Sequence, residues 1–377
     1  MQILSIETAT AKLNTLLPHD IHVLKNAFIS TNFKLFVVGG AVRDVFLGQE
    51  PKDFDICTDA TPDEIINILN NNNIQFNIQG EHFGVIVAKL SEDIEIATFR
   101  TDTSLDTGNN QDTIVKFGAT IEEDCFRRDL TINALLLDLS TNTIIDLVGG
   151  IQDLNNGIIK CIGNPNDRFK EDNLRKLRVL RFATRLNFKI DNNTFNAIKN
   201  DNSLNISEER IINELIISFN NTQSKTLLKD LLFESRLIFA IFPNMQLTNT
   251  EIKEEFTFNE FLAALLFPDE LVEQNLTKLK FSTKTIDTVL FINELVIKLV
   301  NNEIINPLWF FKQIKKLSIN KFNFFIDNDK DKIEWLLNFK PDPMLAQQLM
   351  DNGFNGIKLG QKIEEHYLNL FSKQFRK

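Results

Sequence analysis

The chain has 377 residues, 43% of them hydrophobic and 24% charged, with a formal net charge of −10. That length leaves room for roughly two to three domains, and the acidic balance weighs against non-specific coating of nucleic acid, which needs a broad basic surface. No run approaches the roughly 18 apolar residues of a membrane span, and the three cysteines, Cys57, Cys125 and Cys161, lack CxxC spacing, which fits a reducing cytosol and argues against zinc.

From the start, Met1 to Thr15 alternates polar and apolar residues, without a signal peptide's basic start and long apolar core. An apolar strand over 35–38 then runs into Gly39-Gly40, a short basic turn follows with Arg43 and Asp44, and Asp53-Phe54-Asp55 comes next. Glycines let a backbone approach phosphates, and Arg43 can neutralise them. On an expected second strand Asp53 and Asp55 share one face, about 7 Å apart. Each element alone is weak, since Gly-Gly pairs are mostly turns and paired aspartates often serve solubility. Their order and close spacing point to Mg²⁺ held over a triphosphate, as phosphoryl and nucleotidyl transfer require.

Thr61-Pro62-Asp63-Glu64 is a capping box with proline at the first helical position, predicting a helix to about Asn71. Strands are expected over 83–90, 94–99 and 143–148. On the second of these Glu95 alternates with apolar residues, either as a third metal carboxylate or as an ordinary outward-facing glutamate. Thr120-Ile121-Glu122-Glu123 opens another helix, which reaches Arg127-Arg128-Asp129. There an arginine can grip phosphate while Asp129 and Asn133 bond ribose hydroxyls, although paired arginines also complement a helix end.

Between Lys160 and Lys189 stand nine Lys/Arg against three acids, so the basic charge is concentrated here. Within it lies Glu171-Asp172-Asn173-Leu174-Arg175. On a helix over 171–187, Asp172 and Arg175 lie on one face. A carboxylate accepts from an exocyclic amine and a guanidinium donates to a ring acceptor, so such a pair can select cytosine and adenine over uracil and guanine. The plainer reading is a surface ion pair worth about 0.3–0.5 kcal/mol. Further helices are expected over 207–219, 225–240, 258–266, 285–300, 308–316 and 331–338.

In order and spacing, these motifs, with Asp146-Leu147-Val148-Gly149-Gly150, resemble the class II CCA-adding enzymes, tRNA nucleotidyltransferases of the polymerase-β-like superfamily, whose head bacterial poly(A) polymerases share. The resemblance covers about residues 33–190. It implies an α+β fold: a mixed-sheet nucleotidyltransferase head over 1–150, a helical neck over 151–245, and a helical body and tail over 246–377. It also implies Mg²⁺ on Asp53 and Asp55, with Glu95 beside them. Gly40 and Arg43 would hold the triphosphate, and Arg128 with Asp129 would contact phosphate and ribose. Asp172 and Arg175 would read the base, with Arg178 and Arg181 steadying the nucleotide. The implied partners are the tRNA acceptor end, CTP and ATP, with no membrane and no protein partner required, in the cytoplasm.

Lys312, Lys315, Lys316 and Lys321 are candidate tail contacts, against the plainer reading of an ordinary basic surface. The expected product is a complete CCA end. The alternatives are CC addition, because Gly108-Asn109-Asn110-Gln111 lacks a basic residue, then poly(A) synthesis, which the acidic balance disfavours, then an inactive tRNA- or nucleotide-binding relative. The four histidines, His19, His22, His82 and His366, are expected to be structural or surface residues, with no metal-dependent phosphohydrolase domain.

Overall fold

The computed structural model describes residues 3–79, 84–105, 112–245, 250–319, 322 and 329–375. The segment 108–111, His82 and Lys321 lie outside the described residues. Two compact units divide the chain, Met1–Ile206 and Ser207–Lys377. Their boundary falls inside the segment 151–245 expected as a neck, whose basic half belongs to the first unit.

The first unit opens with α1 (Ile6–Leu16) and α2 (His19–Ile29). The stretch expected to alternate polar and apolar residues is helical from Ile6 onward. Ser5 caps α1 by accepting the Thr8 N–H, and Ala9 and Leu13, four apart, face the core. Next come β1 (Leu35–Val38), α3 (Gly40–Phe46), β2 (Asp55–Thr58) and α4 (Pro62–Asn71), the last with the expected capping box. The short basic turn after Gly39 is therefore a helix, because Ala41, Val42, Val45 and Phe46 are all buried there.

Strands β3 (Gln75–Gln79), β4 (Val85–Lys89) and β5 (Asp93–Thr98) follow, then the hairpin β6 (Arg100–Leu105) and β7 (Asp112–Phe117). Helix α5 (Ile121–Arg127) leads through a 3-10 turn at Thr131–Asn133 to β8 (Leu136–Asp138) and β9 (Thr143–Ile145). One seven-stranded sheet runs β3-β4-β5-β2-β1-β8-β9, and β6-β7 stands apart as a two-stranded sheet. Neighbours in the large sheet are antiparallel except β2 and β5, which are parallel. Phe36, Val38, Cys57, Phe99, Cys125 and Leu136 pack together on it, with the Phe36 and Phe99 rings 5.4 Å apart.

The unit closes with α6 (Gly150–Asn156), β10 (Ile158–Ile159), α7 (Pro165–Glu171), α8 (Leu174–Leu186), β11 (Lys189–Ile190) and α9 (Asn192–Asn200). The helix expected over 171–187 is thus split. Asp172 is extended, at φ −150°, and its carboxylate accepts the Leu174 N–H at 3.0 Å, which caps the next helix. Lys176 of α8 is fully buried, and its ammonium donates to Asn173 Oδ1 at 2.8 Å, Asp201 Oδ2 at 2.9 Å and the Ser203 carbonyl at 2.9 Å.

The second unit is helical throughout its described residues. In order these are α10 (Glu208–Asn221), α11 (Lys225–Glu234), α12 (Leu237–Ile241), α13 (Phe258–Leu266), α14 (Val272–Lys278), α15 (Thr283–Val300), α16 (Pro307–Leu317), α17 (Lys330–Asn338), α18 (Leu345–Asp351) and α19 (Gly356–Phe375). The single helix expected over 225–240 breaks at Arg236, which sits at φ +63°. Phe291, Leu295, Leu299, Phe310, Leu336 and Phe371 form one core of this unit, with Trp309 and Trp335 against it. No helix among the described residues is long and apolar enough to cross a membrane.

Candidate active site

Register sets the carboxylates. Val38, the last residue of β1, lies opposite Asp55, the first of β2, so the chain leaves into Gly39 beside that aspartate. On the other flank the parallel pairing begins at Ile56↔Ile96, one residue after Asp55 and Glu95. Those two residues therefore occupy matching positions on adjacent strands and point to the same face. Asp53 lies before the strand, a departure from the expected alternation on one face. The reason is that β1 has already ended at Val38 and offers no partner further on.

All three carboxylates are exposed. Even so, crowding by protein atoms raises the Asp55 carboxyl above its usual range; the Asp53 and Glu95 charges add to this, while Arg128 and Arg43 oppose it. These acids offer the hard oxygen donors that Mg²⁺ prefers, and a cation relieves the repulsion between them. They do not form a closed metal cage, since no cluster of three or more His, Cys, Asp or Glu ligands is assembled among the described residues. The donor set fits an open site shared with substrate oxygens.

Gly39 carries the backbone demand at the turn. It adopts φ +74°, its N–H donates to the Leu135 carbonyl at 3.0 Å, and a β-carbon there would stand 3.4 Å from the Asn133 carbonyl. Gly40 has ordinary room for a β-carbon, whose nearest neighbour would be Arg43 Nη2 at 3.7 Å.

Arg43 is 2% exposed. Its guanidinium bonds Asp44 Oδ1 through Nε at 2.8 Å and Asn133 Oδ1 through Nη1 at 2.6 Å. Asn133 donates in turn to Asp129 Oδ1 at 3.3 Å, and Asp129 Oδ2 accepts from Arg178 Nε at 2.6 Å. Asp44 Oδ2 accepts from Arg185 at 3.1 Å. A chain of alternating charge thus runs from α3 through the 3-10 turn to α8. Burial alone would raise the Asp129 carboxyl, but Arg178, Asn133 and the Leu130 N–H hold it below its ordinary value.

Asp124 was not singled out in the sequence, yet it organises both arginines of the Arg-Arg-Asp run. Its carboxylate, 1% exposed, takes Arg127 on Oδ1 at 2.9 and 2.6 Å and Arg128 on Oδ2 at 3.1 and 2.8 Å. These are forked, charge-assisted bonds, which orient as well as attract. The available signal was helical spacing: Asp124 lies three and four residues before the arginines.

Arg175 and Asp172 do not share a helix face, because α8 begins only at Leu174; the Arg175 N–H bonds the Asp172 carbonyl at 3.2 Å instead. The Arg175 guanidinium meets Glu171 Oε2 at 2.7 Å, the Arg168 carbonyl at 3.0 Å and the Arg127 carbonyl at 3.0 Å. Arg168, also unremarked in the sequence, bonds Glu171 and the carbonyls of Arg127 and Arg128. Two guanidiniums therefore seat the C-terminal, electronegative end of α5. Three of the five Arg175 donors are spent in this way, leaving two for a ligand.

Arg178 and Arg181 lie on α8, with their guanidinium carbons 5.6 and 4.7 Å from the Phe182 ring centre. Asp146 accepts four backbone N–H bonds, from Val148, Gly149, Gly150 and Ile151, and so starts α6. A β-carbon at Gly150 would meet the Thr131 carbonyl at 2.3 Å, so the glycine pair allows α6 to support the turn that carries Asn133.

Comparison with known proteins agrees with this arrangement. The family model of the poly A polymerase head domain matches residues 35–160. A CCA-adding enzyme of Ligilactobacillus salivarius is 44% identical over 181 residues, 48% of this chain and 44% of that protein. A poly(A) polymerase I of Salmonella typhi is 38% identical over 211 residues, 49% and 43% respectively. The chain thus spans less than half the length of these curated relatives. The solved Thermotoga maritima CCA-adding enzyme complexed with tRNA superposes with a TM-score of 0.68, covering 100% of this chain and 97% of that one at 19% identity, a likeness of fold. Over residues 35–160 the chain matches the poly A polymerase head domain, and over about half its length it is similar to CCA-adding enzymes and to poly(A) polymerase I.

Proposed function

We propose that the protein is a template-independent tRNA nucleotidyltransferase that adds C, C and A to the acceptor end from CTP and ATP in the cytoplasm. The observation that carries this reading is the register of β1, β2 and β5, which sets Asp55 and Glu95 side by side next to the Gly39 turn. Asp53 and Asp55, with Glu95 beside them, would hold Mg²⁺, which when bound activates the attacking 3′-hydroxyl and neutralises the leaving pyrophosphate.

The remaining work falls to the chain's own groups. Arg128, fixed by Asp124, and Arg178 and Arg181 on α8 bind the triphosphate. Asp129 faces the ribose, and Arg43 serves from below, as the buried tie between Asp44 and Asn133. Gly39 and Gly40 keep the backbone of the turn open to the phosphates. Arg175 presents its two remaining donors to the base, with Asp172 as the acceptor. The helical unit from Ser207 onward, including Lys312, Lys315 and Lys316, takes the tRNA by its shape and phosphates.

The relationship to CCA-adding enzymes supports tRNA as substrate. One observation favours a second reading, CC addition alone: the segment Gly108-Asn109-Asn110-Gln111 has no basic residue. A single experiment separates the outcomes. Three tRNA transcripts ending at the discriminator base, C or CC are incubated with Mg²⁺ and CTP, ATP or both. All three should grow to one fixed CCA end. A stop at CC selects the second reading, an open adenylate ladder makes the protein a poly(A) polymerase, and no incorporation with nucleotide binding retained leaves a binding protein.

A further inference from the structure

Phe182 lies in α8 and is 6% exposed, so it passes for an ordinary core residue. What surrounds it is not ordinary. The guanidinium carbons of Arg43, Arg178 and Arg181 lie 5.1, 5.6 and 4.7 Å from its ring centre. Arg43 arrives from α3, the helix that follows the Gly39 turn, while the other two belong to α8. Like charges brought this close repel one another, and the carboxylates of Asp44 and Asp129 hold Arg43 and Arg178 from their outer edges. The ring supplies what a carboxylate cannot: a flat, electron-rich surface that attracts a guanidinium without consuming any of its N–H donors.

We infer that Phe182 is a positioning residue for phosphate binding: its ring sets the spacing of Arg178 and Arg181 against the buried Arg43, and through those two the gain in affinity that each nucleotide phosphate brings. This rests on the reading of the site as a triphosphate site, and the two can fail separately. An aliphatic side chain of similar bulk fills the same space but offers no attracting face, so the three guanidiniums separate and the phosphate gain falls. A residue that merely fills the core would, when altered, weaken every ligand alike or none.

The test is equilibrium binding of CMP, CDP and CTP with Mg²⁺ to the full chain, wild type against Phe182→Leu. Val179→Ala serves as a core control on the same helix, since Val179 is fully buried. The expected result is CTP binding at least about tenfold weaker in Phe182→Leu, with CMP unchanged. Val179→Ala should keep the full dependence on phosphate number even if its melting temperature falls. Phe182→Tyr, which retains the ring, should restore most of the CTP affinity. Uniform loss across the three nucleotides, or no loss, overturns the inference. If Phe182→Leu does not fold, Phe182→Met decides by the same criterion, and wild-type phosphate dependence in it overturns the inference. If the wild type itself gains nothing from CMP to CTP, the triphosphate reading of the site fails instead.

Discussion

The two units are held together by different physics. Around the candidate site the first unit buries charge: Asp124 joins two arginines, Asp129 joins Arg178 to Asn133, and Asp44 joins Arg43 to Arg185. The second unit relies on aromatic packing, with Phe291 within 5.9 Å of Trp309, Phe310 and Phe322, and Trp335 packed tilted or edge-on among Phe339, Phe371 and Phe375. Aromatic contacts are forgiving in direction and insensitive to pH. Buried ion pairs are neither, and they gain little net stability over an apolar core. Where the chain accepts that cost, it obtains fixed guanidinium directions, which the proposed phosphate recognition needs and the proposed shape-based holding of RNA does not.

This contrast can be broken at several points. The largest expected effect is Asp55→Ala, which should reduce nucleotide incorporation by about a thousandfold or more while leaving the melting profile intact; retained activity would remove Asp55 from the metal site. Next, Phe310→Ala should cost about 3–5 kcal/mol in the second unit. Denaturant unfolding should show that loss with CTP affinity unchanged, and a matching loss of CTP binding would show that nucleotide affinity depends on the core of the second unit. Arg175→Ala should raise misincorporation of U and G about tenfold or more, by leaving a base edge without its donors; unchanged selectivity would end the base-reading assignment.

Acid should separate the units as well. Burial would raise the Asp124 and Asp129 carboxyls, but their arginines and hydrogen bonds outweigh it, so both titrate below their usual value of 3.8. Their contribution is complete above that value and is lost as pH falls through the depressed folded values. Below pH 4, therefore, the first unit should lose its tertiary signal ahead of the second. Asp55 shifts the other way, so Mg²⁺ affinity should climb as pH rises through its raised value, on the alkaline side of an ordinary aspartate. The smallest effect is at the surface: Lys316→Ala breaks an exposed pair with Asp287 and should cost less than about 1 kcal/mol.

Much of this was legible from local pattern. The capping boxes at Thr61 and Thr120 start helices where expected, and the strands carrying Val38 and Glu95 lie within a residue or two of their predicted ends. The misreadings have two causes, a strand partner distant in sequence that ends early and a local side-chain bond that interrupts a helix. Asp53 drops out of its strand because β1 stops at Val38, and Asp172 leaves the helix because its carboxylate caps the next one. The contacts of Arg168 with the end of α5 and of Arg43 with Phe182 join residues far apart in the chain, whereas Asp124 was within reach of helical spacing alone. The Gly39–Gly40 pair was visible, but only the fold distinguishes the residue that must be glycine, Gly39, from the one with room to spare.

The buried ammonium of Lys176 has a practical consequence for dissecting the molecule. Two of its three acceptors, Asp201 and the Ser203 carbonyl, belong to the last residues of the first unit. A fragment cut at the end of the family match, near residue 160, would lack α8 entirely, and one cut at residue 200 would strand a fully desolvated cation in its own core. Losing such partners costs about 3–5 kcal/mol, a large share of a domain's net stability. A piece that includes α8 should therefore run through Ser203, past residue 160, where the head-domain match ends.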